Sequence, residues 1–181
     1  MARTSQTRLA VLGALSIEPM TGYALRQGIT ETLGHFWSES FGQIYPALSA
    51  LEADGLVRRT GSGRTSGSTF ELTDAGLRRL RELLAEPVGS QPPRNGLLLR
   101  LFFGRRLGAQ ACRDLLAATL AEAEAALGRY RALRASVGAE EGPDVPVWLV
   151  TVMAGEHSAA AQAAWAREAL ASLEGLPDDP A

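Results

Sequence analysis

Three side chains within two helical turns, Gln43, Tyr45 and Ser49, can exchange hydrogen bonds with a ligand, and three arginines, Arg58, Arg59 and Arg64, follow them. The amide of Gln43 presents a donor beside an acceptor and can pair bidentately with adenine, while the hydroxyls of Ser40, Tyr45 and Ser49 suit other base edges. A guanidinium fork suits phosphate oxygens, which it grips without reading sequence. The chemistry within reach is recognition of duplex DNA, with reading and gripping given to different residues. Thr21 and Tyr23 join the candidate contacts, and Arg3 and Arg8 can add charge. For any single one of these side chains the competing reading is a solvated face, so the set carries the argument.

Such residues must be held on a rigid rod. In the run SESFGQIYPALSALEADGLVRR, residues 38–59, Ile44, Leu48 and Leu51 stand at i, i+4 and i+7 and turn inward together. Gln43, Pro46, Ser49 and Ala50 then lie on other faces. Ser40 is expected to cap the helix, Pro46 is tolerable only in its first turn, and Gly55 ends it in the left-handed conformation. Upstream, Leu9, Val11, Leu12 and Leu15 mark a helix closed by Pro19. A second helix, residues 22–32, is capped by Thr21 and has Tyr23, Leu25, Ile29 and Leu33 on one face. Downstream, LVRRTG and STFELT are β-compatible runs around SGRTSG, a turn that carries Arg64. Thr73 then caps a helix that packs Leu77, Leu80 and Leu84 inward. The order helix, helix, helix, hairpin, helix describes a winged helix-turn-helix, whose third helix is sized for the major groove and whose hairpin is the wing.

The residues also resemble a known family. GQIYPALSALEADGLVRR followed by FELTDAG is similar to the PadR family of bacterial transcription regulators. The matching features are Ile44 and Tyr45 early in the third helix, Leu48-Ser-Ala-Leu51-Glu52, the exit Gly55-Leu56-Val57, Thr73-Asp-Ala-Gly76 and TGYAL at 21–25. The resemblance covers residues 5–80 closely and continues more loosely through LLLRLFFGRRL and WAREAL. It implies a DNA-binding regulator, and for some relatives an apolar or phenol-like effector. Two positions depart from the pattern: Phe70 stands where an aromatic hydroxyl is common, and Pro46 where a basic residue is common.

A proline-rich seam, EPVGSQPPRNG at 86–96, divides the chain into an expected DNA-binding domain, 1–88, and a C-terminal helical dimerisation domain, 94–176. In the second part Cys112, Leu116, Leu120, Ala123, Leu127 and Tyr130 recur at steps of four or three along a helix from 109 to about 135. Along a last helix, 145–173, Val147, Val150, Met153, Ala154, His157, Ala161, Ala164 and Trp165 recur in the same manner. Two long apolar helices with little to cover them call for a partner copy, and a groove reader gains a second half-site by pairing. The expected homodimer contacts are Leu101, Phe102, Leu116, Leu120, Leu127, Val150, Met153 and Trp165. Trp148 and Phe103 are candidates for an effector pocket, against the competing reading that these aromatics, like Trp37, simply pack.

Composition narrows the alternatives. With 181 residues, 46% of them hydrophobic, the chain can bury a substantial core. Its formal net charge of -2 means that DNA binding must come from a local patch. All 18 basic residues are arginine, nine of them at or before Arg81 against seven acids there. One cysteine, two histidines and no phosphate-binding loop give no metal site, no cofactor and no sign of an enzyme. With no apolar run long enough to span a bilayer and no leader-like start, a cytoplasmic protein without membrane contact is expected. Two rival functions remain: a winged-helix module that binds a protein, and a small-molecule scaffold with vestigial DNA contacts.

Overall fold

A computed structural model describes residues 3–34, 37, 41–60, 68–88 and 95–178, and all of their side chains except those of Arg3, Thr4, Ser5, Thr32 and Phe41. The chain forms two compact units, Met1–Gln91 and Pro92–Ala181.

In the first unit, α1 (Arg3–Ile17) leads through a two-residue strand, β1 (Met20–Thr21), into α2 (Gly22–Gly28). A π-helical turn, Ile29–Leu33, extends α2 where a plain helix to 32 was expected. Within it the Thr30 hydroxyl donates to the Arg26 carbonyl at 2.9 Å, a local alternative to the regular backbone ladder. Then come α3 (Phe41–Ala53), β2 (Val57–Thr60), β3 (Thr69–Leu72) and α4 (Asp74–Ala85). This is the mainly α winged helix-turn-helix read from the sequence, with one addition. The sheet has three antiparallel strands in the order β1-β3-β2, because Met20 and Thr21 pair with Phe70 and Thr69. Two residues are too few to show a period, so this strand had no signature.

The core is built from α1, α2, α3, β2, β3 and α4. Val11, Leu12 and Leu15 meet Leu25, Ile44, Leu48, Leu51, Val57 and Phe70, all buried. Two corrections arise here. Pro46 lies inside α3 rather than in its first turn. It is exposed, so its ring faces outward while the helix is held by the buried side chains around it. On α4, Leu83 is buried at 3% and Leu84 is 65% exposed, so the inward row runs Leu77, Leu80, Leu83.

The helix ends follow the capping chemistry. The Thr21 hydroxyl accepts from the Ala24 N–H at 3.1 Å and that of Thr73 from Gly76 N–H at 3.0 Å. At the end of α3, Gly55 has φ of 70°, Leu56 N–H donates to the Leu51 carbonyl at 2.9 Å and Gly55 N–H to that of Glu52 at 3.0 Å. These two bonds form a Schellman motif, which turns the chain sharply from α3 into β2. The expected cap Ser40 lies outside the described residues.

In the second unit Asn95 caps α5 (Gly96–Phe102) by accepting from the Leu97 and Leu98 N–H groups, each at 3.0 Å. A 3-10 turn, Gly104–Arg106, precedes α6 (Ala109–Gly138) and α7 (Val145–Ser172). The last two run antiparallel. The Arg113 guanidinium donates to the Leu173 carbonyl at 3.2 Å, Arg167 pairs with Glu124, and Arg134 pairs with Glu156 at 3.1 Å. Cys112, Leu116 and Ala123 of α6 are buried, and on α7 the buried residues are Val152, Ala159, Ala163 and Ala166. The α7 row read from the sequence is a different one: Val147, Val150, Met153, His157, Ala161 and Ala164 are exposed. Alanines occur on both faces of this helix, so the pattern could not say which face meets α6. Close approach is also built in at Gly155, where an added Cβ would lie 2.2 Å from the Tyr130 ring.

Leu48→Ala should lower the unfolding free energy by about 2–5 kcal/mol, because it empties a fully enclosed site, and chemical denaturation followed by circular dichroism will measure it. In the second unit Gly155→Ala should lower the melting temperature, while Gly128→Ala, where nothing lies near the added carbon, should raise or preserve it.

Candidate nucleic-acid interface

The outer face of α3 carries the residues singled out for base contact. Gln43 and Ser49 are exposed, whereas Ile44, Ala47 and Leu48 are buried, so one helix both anchors and presents. Tyr45 is 39% exposed. Its ring lies across the start of α2, with an edge carbon 2.8 Å from where a Cβ on Gly22 would stand. Tyr45 thus holds α3 against α2 as well as presenting a phenol. Tyr23 is exposed nearby in the chain at the start of α2, and the Thr21 hydroxyl is occupied in capping that helix. Ser40 and Arg64 fall outside the described residues, as does the side chain of Arg3.

The two ribbon arginines are adjacent in sequence and therefore point to opposite faces of the sheet. Arg58 stands opposite Glu71 in the strand register. Its Nε and Nη2 both donate to Glu71 Oε2, at 2.9 and 2.7 Å, and its side chain remains 68% exposed. Arg59 stands opposite buried Phe70, with its guanidinium carbon 5.1 Å from the ring centroid. From there Arg59 reaches back to Glu52 at the end of α3, with Nε to Oε1 at 3.1 Å and Nη2 to Oε2 at 2.9 Å. Hydrogen bonding to Glu52 pushes the Arg59 guanidinium above its already high ordinary value, so this cation stays charged throughout the accessible pH range. Arg59 accordingly ties the ribbon to the helix, while Arg58 is the strand cation on the outward face. Arg8 of α1 pairs with Asp54.

The carboxylates Glu52 and Glu71 were absent from the sequence-based set. The pairing of Arg58 with Glu71 had a signal, since opposite charges in facing strands are favourable neighbours. That of Arg59 with Glu52 had none, because it depends on how sharply the chain reverses at Gly55.

A joint of short bonds fixes the ribbon to α4. Thr73 N–H donates to the Leu56 carbonyl at 3.1 Å, and its hydroxyl lies within donating distance of the carbonyls of Gly55, 2.9 Å, and Leu56, 3.0 Å. A Cβ on Gly76 would stand 2.0 Å from the Leu56 oxygen, so only glycine fits there.

Within the second unit, Phe102 is 82% exposed and Leu101 half-buried. Of the other residues expected to pair copies, Val150 and Met153 are exposed, Leu120, Leu127 and Trp165 are half-buried, and Leu116 is fully buried inside its own unit. A cavity of about 800 Å³ is lined by Leu101, Cys112, Leu116, Trp165, Leu173 and Leu176, with Arg105 and Glu168 at its wall. Trp148 does not line it; Phe103 lies instead on a more open hollow of about 730 Å³ with Leu99, Leu107 and Leu115. Among the described residues no three His, Cys, Asp or Glu side chains are grouped to hold a metal, and no helix is long and apolar enough to cross a membrane.

Comparison with known proteins follows the same division. Residues 11–82 match the model of the transcriptional regulator PadR-like family, and residues 93–174 match that of the virulence activator alpha C-terminal region. The chain is 30% identical over 161 residues to the negative transcriptional regulator PadR of Bacillus subtilis, a match spanning 83% of this chain and 88% of that protein. Among solved structures, a PadR-like regulator of Bacillus cereus shares the fold, with a TM-score of 0.80 at 24% identity over 93% of this chain and 98% of that one. Bacillus subtilis PadR in complex with operator DNA aligns with a TM-score of 0.79 at 26% identity, over 92% and 98% of the two chains. The same protein in complex with p-coumaric acid aligns with a TM-score of 0.77 at 26% identity, again over 92% and 98%. These relatives and the family are regulators of transcription rather than enzymes. Sequence identity along most of both chains and the helix-and-wing geometry lead to one assignment: the chain belongs to the PadR-like family of transcriptional regulators.

Proposed function

We propose that this regulator is a homodimeric repressor that reads a pseudo-palindromic operator through the outer face of α3 and is released by a small apolar or aromatic effector. The observation that carries the reading is the division of α3 into a buried row, Ile44, Leu48 and Leu51, and an exposed row that includes Gln43 and Ser49. Such a division is common to surface helices; here it fixes which polar groups of α3 face outward, and a groove reader must be held rigidly while those groups stay free. Gln43 is the base reader, Ser40, Tyr45 and Ser49 are its neighbours, and Thr21 and Tyr23 approach the backbone. Arg64 takes phosphate, Arg58 lies on the outward face of the ribbon beside Glu71, and Arg59 supports the ribbon from within.

Dimerisation is supported by apolar surface that the second unit leaves uncovered. Leu98, Leu99, Phe102, Phe103 and Leu107 are exposed within one short segment, and Val147, Val150 and Met153 along α7. Apolar side chains exposed this densely mark interaction surfaces, and a second copy would cover them while supplying the second reading helix. For the effector, the cavity beside Trp165 is of drug-like size and mostly apolar, with Arg105 available to a carboxylate. That a similar regulator has been solved with p-coumaric acid supports the same ligand class.

Selection of bound duplexes from a random pool should yield an inverted repeat for the wild type, and Gln43→Ala should relax preference at one position per half-site, at a cost of about 1–3 kcal/mol on the operator. Equal losses on operator and random DNA would remove Gln43 from the reading set. Sedimentation at micromolar concentration should give a dimer, and Phe102→Asp with Val150→Asp should give a monomer that keeps its helical content. A monomer in the wild type would refute the paired arrangement.

A further inference from the structure

The outward face of the ribbon strands is electrically balanced, and that balance has a consequence for how the protein meets DNA. On β2 and β3, Arg58 and Arg59 are the strand cations, and only Arg58 points away from the core. Its carboxylate partner is built into the neighbouring strand directly opposite, with both donated bonds falling on one oxygen of Glu71. Glu71 is half-buried and Arg58 largely exposed, so the carboxylate is the fixed member of the pair and the guanidinium the movable one. Arg59 is not an alternative source of free charge, since Glu52 holds both its Nε and Nη2 while Phe70 lies beneath it. Thr60 and Thr69, the remaining pair on the outward face, carry no charge.

We propose that Glu71 is an internal counter-charge that keeps Arg58 from gripping phosphate, and so holds down the sequence-independent part of DNA affinity. This rests on the reading that the ribbon lies along the duplex. A free arginine on a wing releases a counterion for each phosphate it neutralises, which tightens binding to every sequence alike. An arginine held by a cross-strand carboxylate neutralises no phosphate and therefore releases none. The neutral side chains of α3 then weigh more heavily in the choice of site. A regulator with few phosphate grips spends less of its time on the bulk of the genome, where every sequence offers the same backbone.

The test is the salt dependence of binding to a random duplex and to the selected operator, for wild type, Glu71→Gln, Arg58→Ala and the double variant. Glu71→Gln should steepen the slope of log affinity against log salt by about 0.9, the value for one added phosphate contact. Its advantage over the wild type on random DNA should correspondingly grow about eight-fold between 1 M and 0.1 M salt. The double variant should keep the wild-type slope, since a neutral pair and an absent pair release the same number of counterions, while Arg58→Ala, which leaves the Glu71 carboxylate unpaired, should weaken binding to both duplexes. Circular dichroism will confirm that each variant is folded, with Glu71→Thr, a β-favouring replacement, as a second way of removing the charge. An unchanged slope in folded Glu71→Gln and Glu71→Thr overturns the proposal. So does an equal steepening with and without Arg58, which would mean that Glu71 simply repels DNA. If the wild type binds no duplex at all, the underlying reading fails and takes the proposal with it; if it binds the operator and only the slopes disagree, the proposal alone fails.

Discussion

Burial of one edge of α3 is the constraint on which the rest depends. Ile44, Leu48 and Leu51 are each at most 2% exposed and share a core with Val11, Leu12 and Leu15 of α1. A helix anchored along one row cannot rotate about its axis without exposing that row, and the hydrophobic cost of doing so fixes the orientation of every other side chain on it. Gln43 and Ser49 face outward because their neighbours cannot. The same anchoring explains how an interior proline is accommodated. Pro46 removes one rung of the backbone ladder, a loss that packing around it has to offset, and its exposed ring leaves the buried row intact.

From α3 the chain is steered by small groups rather than large ones. Gly55 takes the left-handed conformation, Thr73 gathers the Gly55 and Leu56 carbonyls, and Gly76 lets the backbone of α4 touch the Leu56 oxygen. Together they place β2 beside the end of α3, close enough for Arg59 to span from the Phe70 ring to Glu52. The strands of the ribbon are thereby tied to α3, and the conformational entropy of a freely swinging pair of strands is already removed in the fold.

The second unit uses a different logic. Ala159, Ala163 and Ala166 let α7 approach α6 closely, and Gly155 admits the Tyr130 ring between them. Larger apolar side chains are displaced to the outside, where Val150, Met153 and Phe102 remain exposed. A two-layer arrangement of this kind has no third layer of its own to bury that surface, so the exposure is a property of the packing rather than of any single residue.

By itself the sequence determined the order of α1, α2, α3, the hairpin and α4, the caps at Thr21, Thr73 and Gly55, and the inward rows of α1 and α3, because those depend on residue type and on spacing along one helix. It also indicated the limits of α6 and α7, since capping and breaking residues act locally. Only the tertiary structure decided the rest. The strand Met20–Thr21 exists because Phe70 and Thr69 lie beside it. The choice between Leu83 and Leu84, and between the two apolar faces of α7, follows from which neighbour each meets. The fates of Arg58 and Arg59, identical in chemistry and adjacent in the chain, diverge for the same reason. The alternation of the strand turns one toward Glu71 on the open face and the other over Phe70 toward Glu52, and only folding brings those carboxylates within reach.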